Sequence, residues 1–157
     1  MSRSVKNPLT VGWREWVVLG GLDCPIPIKA KIDTGAATSA LHAARLRRYE
    51  VDGEQWVEFT LRPHQRTSRD SRRVQAKVVD ERRVRSSNGR SEVRPVIETV
   101  MGIGDRHWAV QFTLSRRDEM GFRLLLGRRA LRGRTLIDPG KSYATGFPVG
   151  LKQVGGD

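Results

Sequence analysis

The sequence predicts a mainly β domain, on three observations. Its apolar residues fall in short runs separated by turn signals. One run, PIPIKAKI (25–32), alternates and puts Ile26, Ile28, Ala30 and Ile32 on one face. Two pairs, Asp52-Gly53 and Asn88-Gly89, sit between runs and mark hairpin turns.

The elements follow in chain order. REWVVL (14–19) is a strand that stops at Gly20-Gly21, and PIPIKAKI is the next strand. TSALHA (38–43) fits a strand or a helical turn equally well. LRRYEV (46–51) and QWVEFTL (55–61) form a hairpin across Asp52-Gly53. RRVQAKVV (72–79) and RRVR (82–85) lead to Asn88-Gly89, from which EVRPVIETVMGI (92–103) returns. HWAVQFTL (107–114) follows the turn Gly104-Asp105. FRLLLG (122–127) is apolar almost throughout, as a strand covered on both faces is. RRALRG (128–133) makes a short helix ending at Gly133. No repeat or linker appears, so one domain is expected over 1–157, with an ordered core at about 11–147 and a frayed tail.

The 157 residues carry 29 Lys and Arg against 17 Asp and Glu, a net charge of +12. A field of that sign selects an anionic partner: nucleic acid, an acidic membrane or an acidic peptide. Cys24 is the only cysteine, which excludes an internal disulfide and fits a reducing compartment. The run WVVLGGL near the amino terminus is too short for a signal core, and nothing reaches membrane-spanning length. A cytoplasmic protein with no membrane partner is expected.

Several chemistries are excluded by residue type and spacing. His42, His64 and His107 are scattered and Cys24 has no cysteine partner, so no metal site is expected and the histidines read as surface or half-buried residues. Pro139-Gly140-Lys141-Ser142 resembles the end of a phosphate loop, but Thr135 stands where its first glycine belongs. Gly102-x-Gly104 lacks the third glycine of a dinucleotide loop, and no GxSxG exists. No cofactor is expected.

Nucleic acid is the weaker partner. Between Arg62 and Arg94 stand eleven Lys and Arg against Asp70, Asp80, Glu81 and Glu92. Such a stretch neutralises phosphates. It contains no Phe, Tyr or Trp on which bases could stack.

One short stretch concentrates the chemistry. AKIDTGAATSALHA (30–43) sets Asp33, Thr34, Gly35 and Ala36 directly after an apolar strand. Asp supplies a carboxylate, Thr a hydroxyl that can lock a loop, and Gly a backbone free to turn beside a substrate. Asp-Thr-Gly in this setting is the active-site signature of aspartic proteases. Late in the chain, Leu124-Leu125-Leu126-Gly127-Arg128 resembles the second hallmark of the retropepsins, an apolar strand that braces the catalytic loop and opens a short helix. Together with RRYEVDGEQWVEFTL, RRVRSSNGRSEVRPVIET and LLLGRRALRGRTLIDPGKSY, these motifs resemble a bacterial family known as RimK-related "ATP-dependent zinc proteases", over roughly Val11 to Phe147. Neither the zinc nor the ATP of that label has support in the residues.

The resemblance implies a closed retropepsin-like β-barrel with one short helix after Gly127. It implies a catalytic Asp33 in a loop with Thr34, Gly35 and Ala36, supported by Leu125, Leu126, Gly127 and Arg128. Aspartic chemistry needs two carboxylates, and the chain has one Asp-Thr-Gly; Asp138 sits in Asp-Pro-Gly without the hydroxyl residue. The second aspartate is therefore expected from a second copy, in an isologous homodimer. Thr34 is expected to reach across that dimer. Ala36 stands where pepsins carry a hydroxyl, so an activity optimum nearer neutral pH is expected. The hairpin with Ser87, Asn88 and Gly89 at its tip is the candidate flap. Two neutral residues, Ala37 and Thr38, follow the motif where retropepsins often place an acid, so Arg128 needs a different partner.

Ligases of the RimK type add glutamates to protein termini, so the resemblance and the +12 charge together point to an acidic or polyglutamylated peptide substrate. Two function classes stay open: a dimeric aspartic endopeptidase, and a non-catalytic basic β module that binds acidic peptides or RNA. They differ in their dependence on Asp33.

Overall fold

The computed structural model describes residues 7–85, 88–116 and 121–148. Its strands are β1 (Leu9–Val11), β2 (Arg14–Leu19), β3 (Cys24–Ile32), β4 (Ser39–His42), β5 (Ala44–Val51), β6 (Glu54–Leu61), β7 (Arg72–Lys77), β8 (Asp80–Arg85), β9 (Ser91–Ile103), β10 (Arg106–Ser115), β11 (Leu124–Leu126) and β12 (Thr135–Ile137). The one α-helix among the described residues, α1, spans Arg128–Leu131, and a 3-10 turn covers Gly20–Leu22.

The local signals act as their chemistry requires. In β3 alternate residues are buried, from Cys24 through Ile26, Ile28 and Ala30 to Ile32, while both prolines and both lysines between them are half-exposed. Asp52 and Gly53 both adopt positive φ, 51° and 80°, the turn that matches the twist of paired strands β5 and β6. At the second hairpin Gly89 adopts φ 84°, and β8 pairs antiparallel with β9 from Arg85↔Ser91 to Asp80↔Val96. TSALHA resolves as a strand, because β4 is hydrogen-bonded on both sides, to β10 and β11.

The largest sheet closes on itself. Strands β10, β4, β11, β3, β2 and β9 neighbour one another in that order, and β9 pairs again with β10, so six strands form a ring. This is the closed barrel, with its short helix after Gly127, that the family resemblance implies. Ile28, Leu41, Ile97, Met101, Ile103, Phe112, Leu114, Leu124 and Leu126 are all but fully buried in the core. Each contributes roughly 1.5–3 kcal/mol by leaving water. Closure removes the two edges that an open sheet would expose. Strand β8 extends this sheet outside the ring, paired only with the first half of β9.

A second sheet, β5-β6-β7, packs Val57, Phe59, Leu61, Val74 and Ala76 into the same core. The chain leaves it after Lys77 and joins the barrel sheet at Asp80. The ends of the described chain meet in a parallel pair, Leu9↔Thr135 to Val11↔Ile137. The fully buried Glu15 locks this region. Its carboxylate accepts from the Gly12 amide at 2.6 Å, the Ala144 amide at 2.8 Å, and the Thr145 amide and hydroxyl at 3.1 and 2.7 Å. Four donors in place of water are what make a buried carboxylate tolerable. His42 corrects an expectation: it is wholly buried rather than at the surface or half-buried, at the end of β4, a strand of the closed ring.

Candidate active site

Strand β3 delivers Asp33 to the rim of the barrel, and β11 holds it there. The two strands run parallel, with Leu126 opposite Ile32. The Asp33 amide donates to the Leu126 carbonyl at 2.8 Å, one residue beyond the paired strands. The loop then turns tightly, the Ala36 amide donating to the Asp33 carbonyl at 3.2 Å. The Gly35 amide donates to Asp33 Oδ1 at 3.1 Å, which fixes the carboxylate. Gly35 takes no left-handed conformation; it is small because a Cβ would stand 3.3 Å from that same oxygen.

From the other side, the start of α1 laces onto the loop. Arg128 and Arg129 donate their amides to the Ala36 and Ala37 carbonyls at 2.8 and 3.1 Å. The Gly127 amide donates to the Ser39 hydroxyl at 3.0 Å. Arg128 finds the partner its sequence context lacks: Nη1 donates to the Thr34 carbonyl at 3.0 Å. Gly127 has no room for a side chain, since a Cβ would lie 2.5 Å from the Thr38 carbonyl oxygen. Thus Leu126, Gly127 and Arg128 bond the Asp33 loop or its flank, and Leu125 pairs with Lys31 and Ala40 on the strands on either side of it. Asp33 itself is half-buried while Thr34 and Gly35 are exposed, so the carboxyl end of the site opens outward.

The family model described as "Retropepsin-like aspartic endopeptidase RimB" matches residues 10–148, across both of these motifs and the barrel between them. The chain belongs to this RimB-like family. Curated relatives of the RimB-like chain include proteins of Shewanella pealeana and Shewanella halifaxensis, each named "Probable alpha-L-glutamate ligase". They are 44% and 43% identical over 140 residues, which is 89% of this chain and 30% of each relative. The chain thus spans under a third of the length of the curated relatives it matches. A solved structure of a protein of unknown function from Legionella pneumophila superposes with a TM-score of 0.71 at 24% identity, over 88% of this chain and 99% of that one. That likeness speaks for the fold.

Other predicted features of the RimB-like chain fall elsewhere. Asn88 and Gly89 lie at the tip of the β8–β9 hairpin, where Asn88 Oδ1 accepts from the Arg90 amide at 3.1 Å; Ser87 lies outside the described residues. Asp138 caps its own turn, accepting from the Gly140 amide at 3.0 Å, and its amide donates to the Val11 carbonyl at 2.8 Å. His64 pairs with Asp70 at 2.7 Å, which holds the Asp70 carboxyl below its usual range. Among the described residues no group of three His, Cys, Asp or Glu could hold a metal ion, and no helix is long and apolar enough to cross a membrane. Sequence reasoning missed Ser39, whose hydroxyl joins the two motifs. Its signal is a small polar residue opening an otherwise apolar strand.

Proposed function

We propose that this chain is an aspartic peptidase that works as a homodimer, with Asp33 of each copy in one shared site. The observation that carries this reading is a single oriented carboxylate at an open barrel rim. Its loop is tied by five hydrogen bonds to the Leu126–Arg129 segment. A precisely held loop suits a group that must meet a counterpart. Two carboxylates brought together share one proton, because two like charges so close do not both ionise. One then takes a proton from the attacking water while the other, protonated, donates to the scissile carbonyl. Arg128 acts here as a positioning residue through the Thr34 carbonyl.

Thr34 is exposed, as a residue that reaches a partner loop must be, and Thr34→Ala is expected to weaken dimerisation. The β8–β9 hairpin stands outside the ring and serves as the flap. The substrate is an acidic peptide, glutamylated tails included. The charge of +12 favours such a chain, and the curated relatives are named as glutamate ligases.

The test is turnover of a polyglutamate-tailed protein by wild type and Asp33→Asn, with a chelator present. Cleavage that resists the chelator and disappears in the variant is expected. Equal cleavage by both proteins would reduce Asp33 to a turn residue. The second reading, a non-catalytic module binding acidic peptides or RNA, draws on the charge alone. It predicts that Asp33→Asn leaves binding intact and that neither protein cleaves.

A further inference from the structure

The segment RRALRGR (128–134) carries four arginines and no acid. Arg128 is turned to the Thr34 carbonyl. The other three, Arg129, Arg132 and Arg134, line an open cavity of about 280 Å³ together with Arg82 of β8, Trp108 and Glu98. Four guanidinium groups therefore face one carboxylate. Among the described residues Arg129, Arg132 and Arg134 form no ion pair, and Arg82 reaches only Asp80, at 4.0 Å. Cations that outnumber the acids beside them repel one another, and an anion relieves that repulsion. Guanidinium groups take carboxylates through paired N–H donors.

The cavity adjoins the Asp33 loop. Thr38 and Ser39, which close that loop, are part of its wall. Its aromatic wall does not suit a nucleic-acid base. The Trp108 indole N–H already donates to the Ala130 carbonyl at 3.0 Å, and the Arg134 guanidinium lies 5.2 Å from the ring centre. A ring covered by a cation offers no free stacking platform.

We propose that this cavity is an exosite for the carboxylate side chains of an acidic peptide, whose neighbouring segment lies along the Asp33 loop. The proposal rests on the peptidase reading for what happens at Asp33, but its binding step stands apart from cleavage.

The experiment measures binding of a dye-labelled oligoglutamate peptide to the Asp33→Asn protein by fluorescence anisotropy, so that turnover plays no part. Adding Arg129→Gln and Arg132→Gln is expected to weaken binding about tenfold or more, since each removes a charge-assisted hydrogen-bonding group. Adding Arg66→Gln and Arg83→Gln removes the same charge away from the cavity. That pair is expected to weaken binding less than about threefold, the share left to the general field. Equal losses from the two pairs, or no oligoglutamate binding at all, would overturn the exosite. So would a single-stranded oligonucleotide that binds more tightly and depends on the same two arginines. The Trp108 indole resonance reports on the cavity with every arginine intact: it shifts on saturation with oligoglutamate if the cavity is occupied, and a fixed resonance counts against the proposal. If cleavage never depends on Asp33 yet the binding difference appears, the peptidase reading fails alone. If Asp33-dependent cleavage appears with no binding difference, the exosite fails alone.

Discussion

Between Arg72 and Arg94 the basic residues are largely engaged. Arg73 reaches Glu58 at 2.8 Å, the Thr60 hydroxyl at 3.0 Å and the Arg45 carbonyl at 2.8 Å. Arg94 pairs with Glu92, Lys77 with Glu54, and Arg72 donates to the Asp23 carbonyl. Glu81 in the same stretch holds Arg48 of β5 with both oxygens, at 2.5 and 3.0 Å, and so ties the second sheet to the barrel sheet. Around α1, among the described residues, Arg129, Arg132 and Arg134 form no ion pair, although Glu98 lines the same cavity. Arginine in the first region ties strands or turns together, while Glu81 there joins the two sheets through Arg48; around α1 arginine braces the Asp33 loop or lines an open cavity. A count of charges along the chain assigns the stronger field to the middle, whereas pairing leaves uncompensated charge at α1.

The largest effect is expected at the buried acid that no arginine touches. Glu15→Ala orphans three amides and a hydroxyl and should cost roughly 3 kcal/mol or more, read as a lower urea midpoint. A loss under about 1 kcal/mol would mean water replaces the carboxylate there. Next comes the α1 junction. Gly127→Ala drives a methyl group into the Thr38 backbone and should cost about 1–3 kcal/mol, with turnover falling further than the unfolded fraction explains. Arg128→Met removes one bond to the Thr34 carbonyl. It should cost about 1 kcal/mol of stability while lowering turnover through kcat rather than KM; an unchanged kcat would return Arg128 to the class of purely structural arginines.

The smallest effect sharpens the other side of the comparison. The hydrogen bond from Arg48 holds the Glu81 carboxyl below its usual range. A carboxyl lowered in the folded state stabilises above its unfolded value and loses that contribution as pH falls through its folded value. Glu81→Gln should therefore cost about 0.5 kcal/mol at neutral pH, the discount its partial exposure requires. The deficit should shrink as pH falls from about 4, the ordinary range of Glu, and vanish only below the lowered folded value. A deficit independent of pH would show packing, not charge, at work.

The legible features are those written over a few adjacent residues. Alternation marks the buried face of β3, Asp52-Gly53 and Asn88-Gly89 mark their hairpins, and the run at Leu124–Leu126 announces a buried strand, which pairs with β3 and β4. The two motifs of the Asp33 site are visible as strings, and their adjacency is implied by family resemblance. What stays hidden depends on residues far apart. Nothing local shows that Glu15 meets Ala144 and Thr145, or that β1 pairs with β12. Nor does a run such as RRVQAKVV reveal that the chain changes sheets within it, after Lys77. The lack of aromatics between Arg62 and Arg94 is plain in the sequence, yet Trp108 sits beside Arg134 because of the fold.

In the proposed dimer one site takes one carboxylate from each of two chains. The direct measurement is turnover by purified heterodimers of one wild-type subunit and one Asp33→Asn subunit, isolated with two different affinity tags. Activity at background is expected, because one carboxylate lacks its partner. Half of the wild-type activity would contradict it, since each subunit would then be working with its own Asp33 alone.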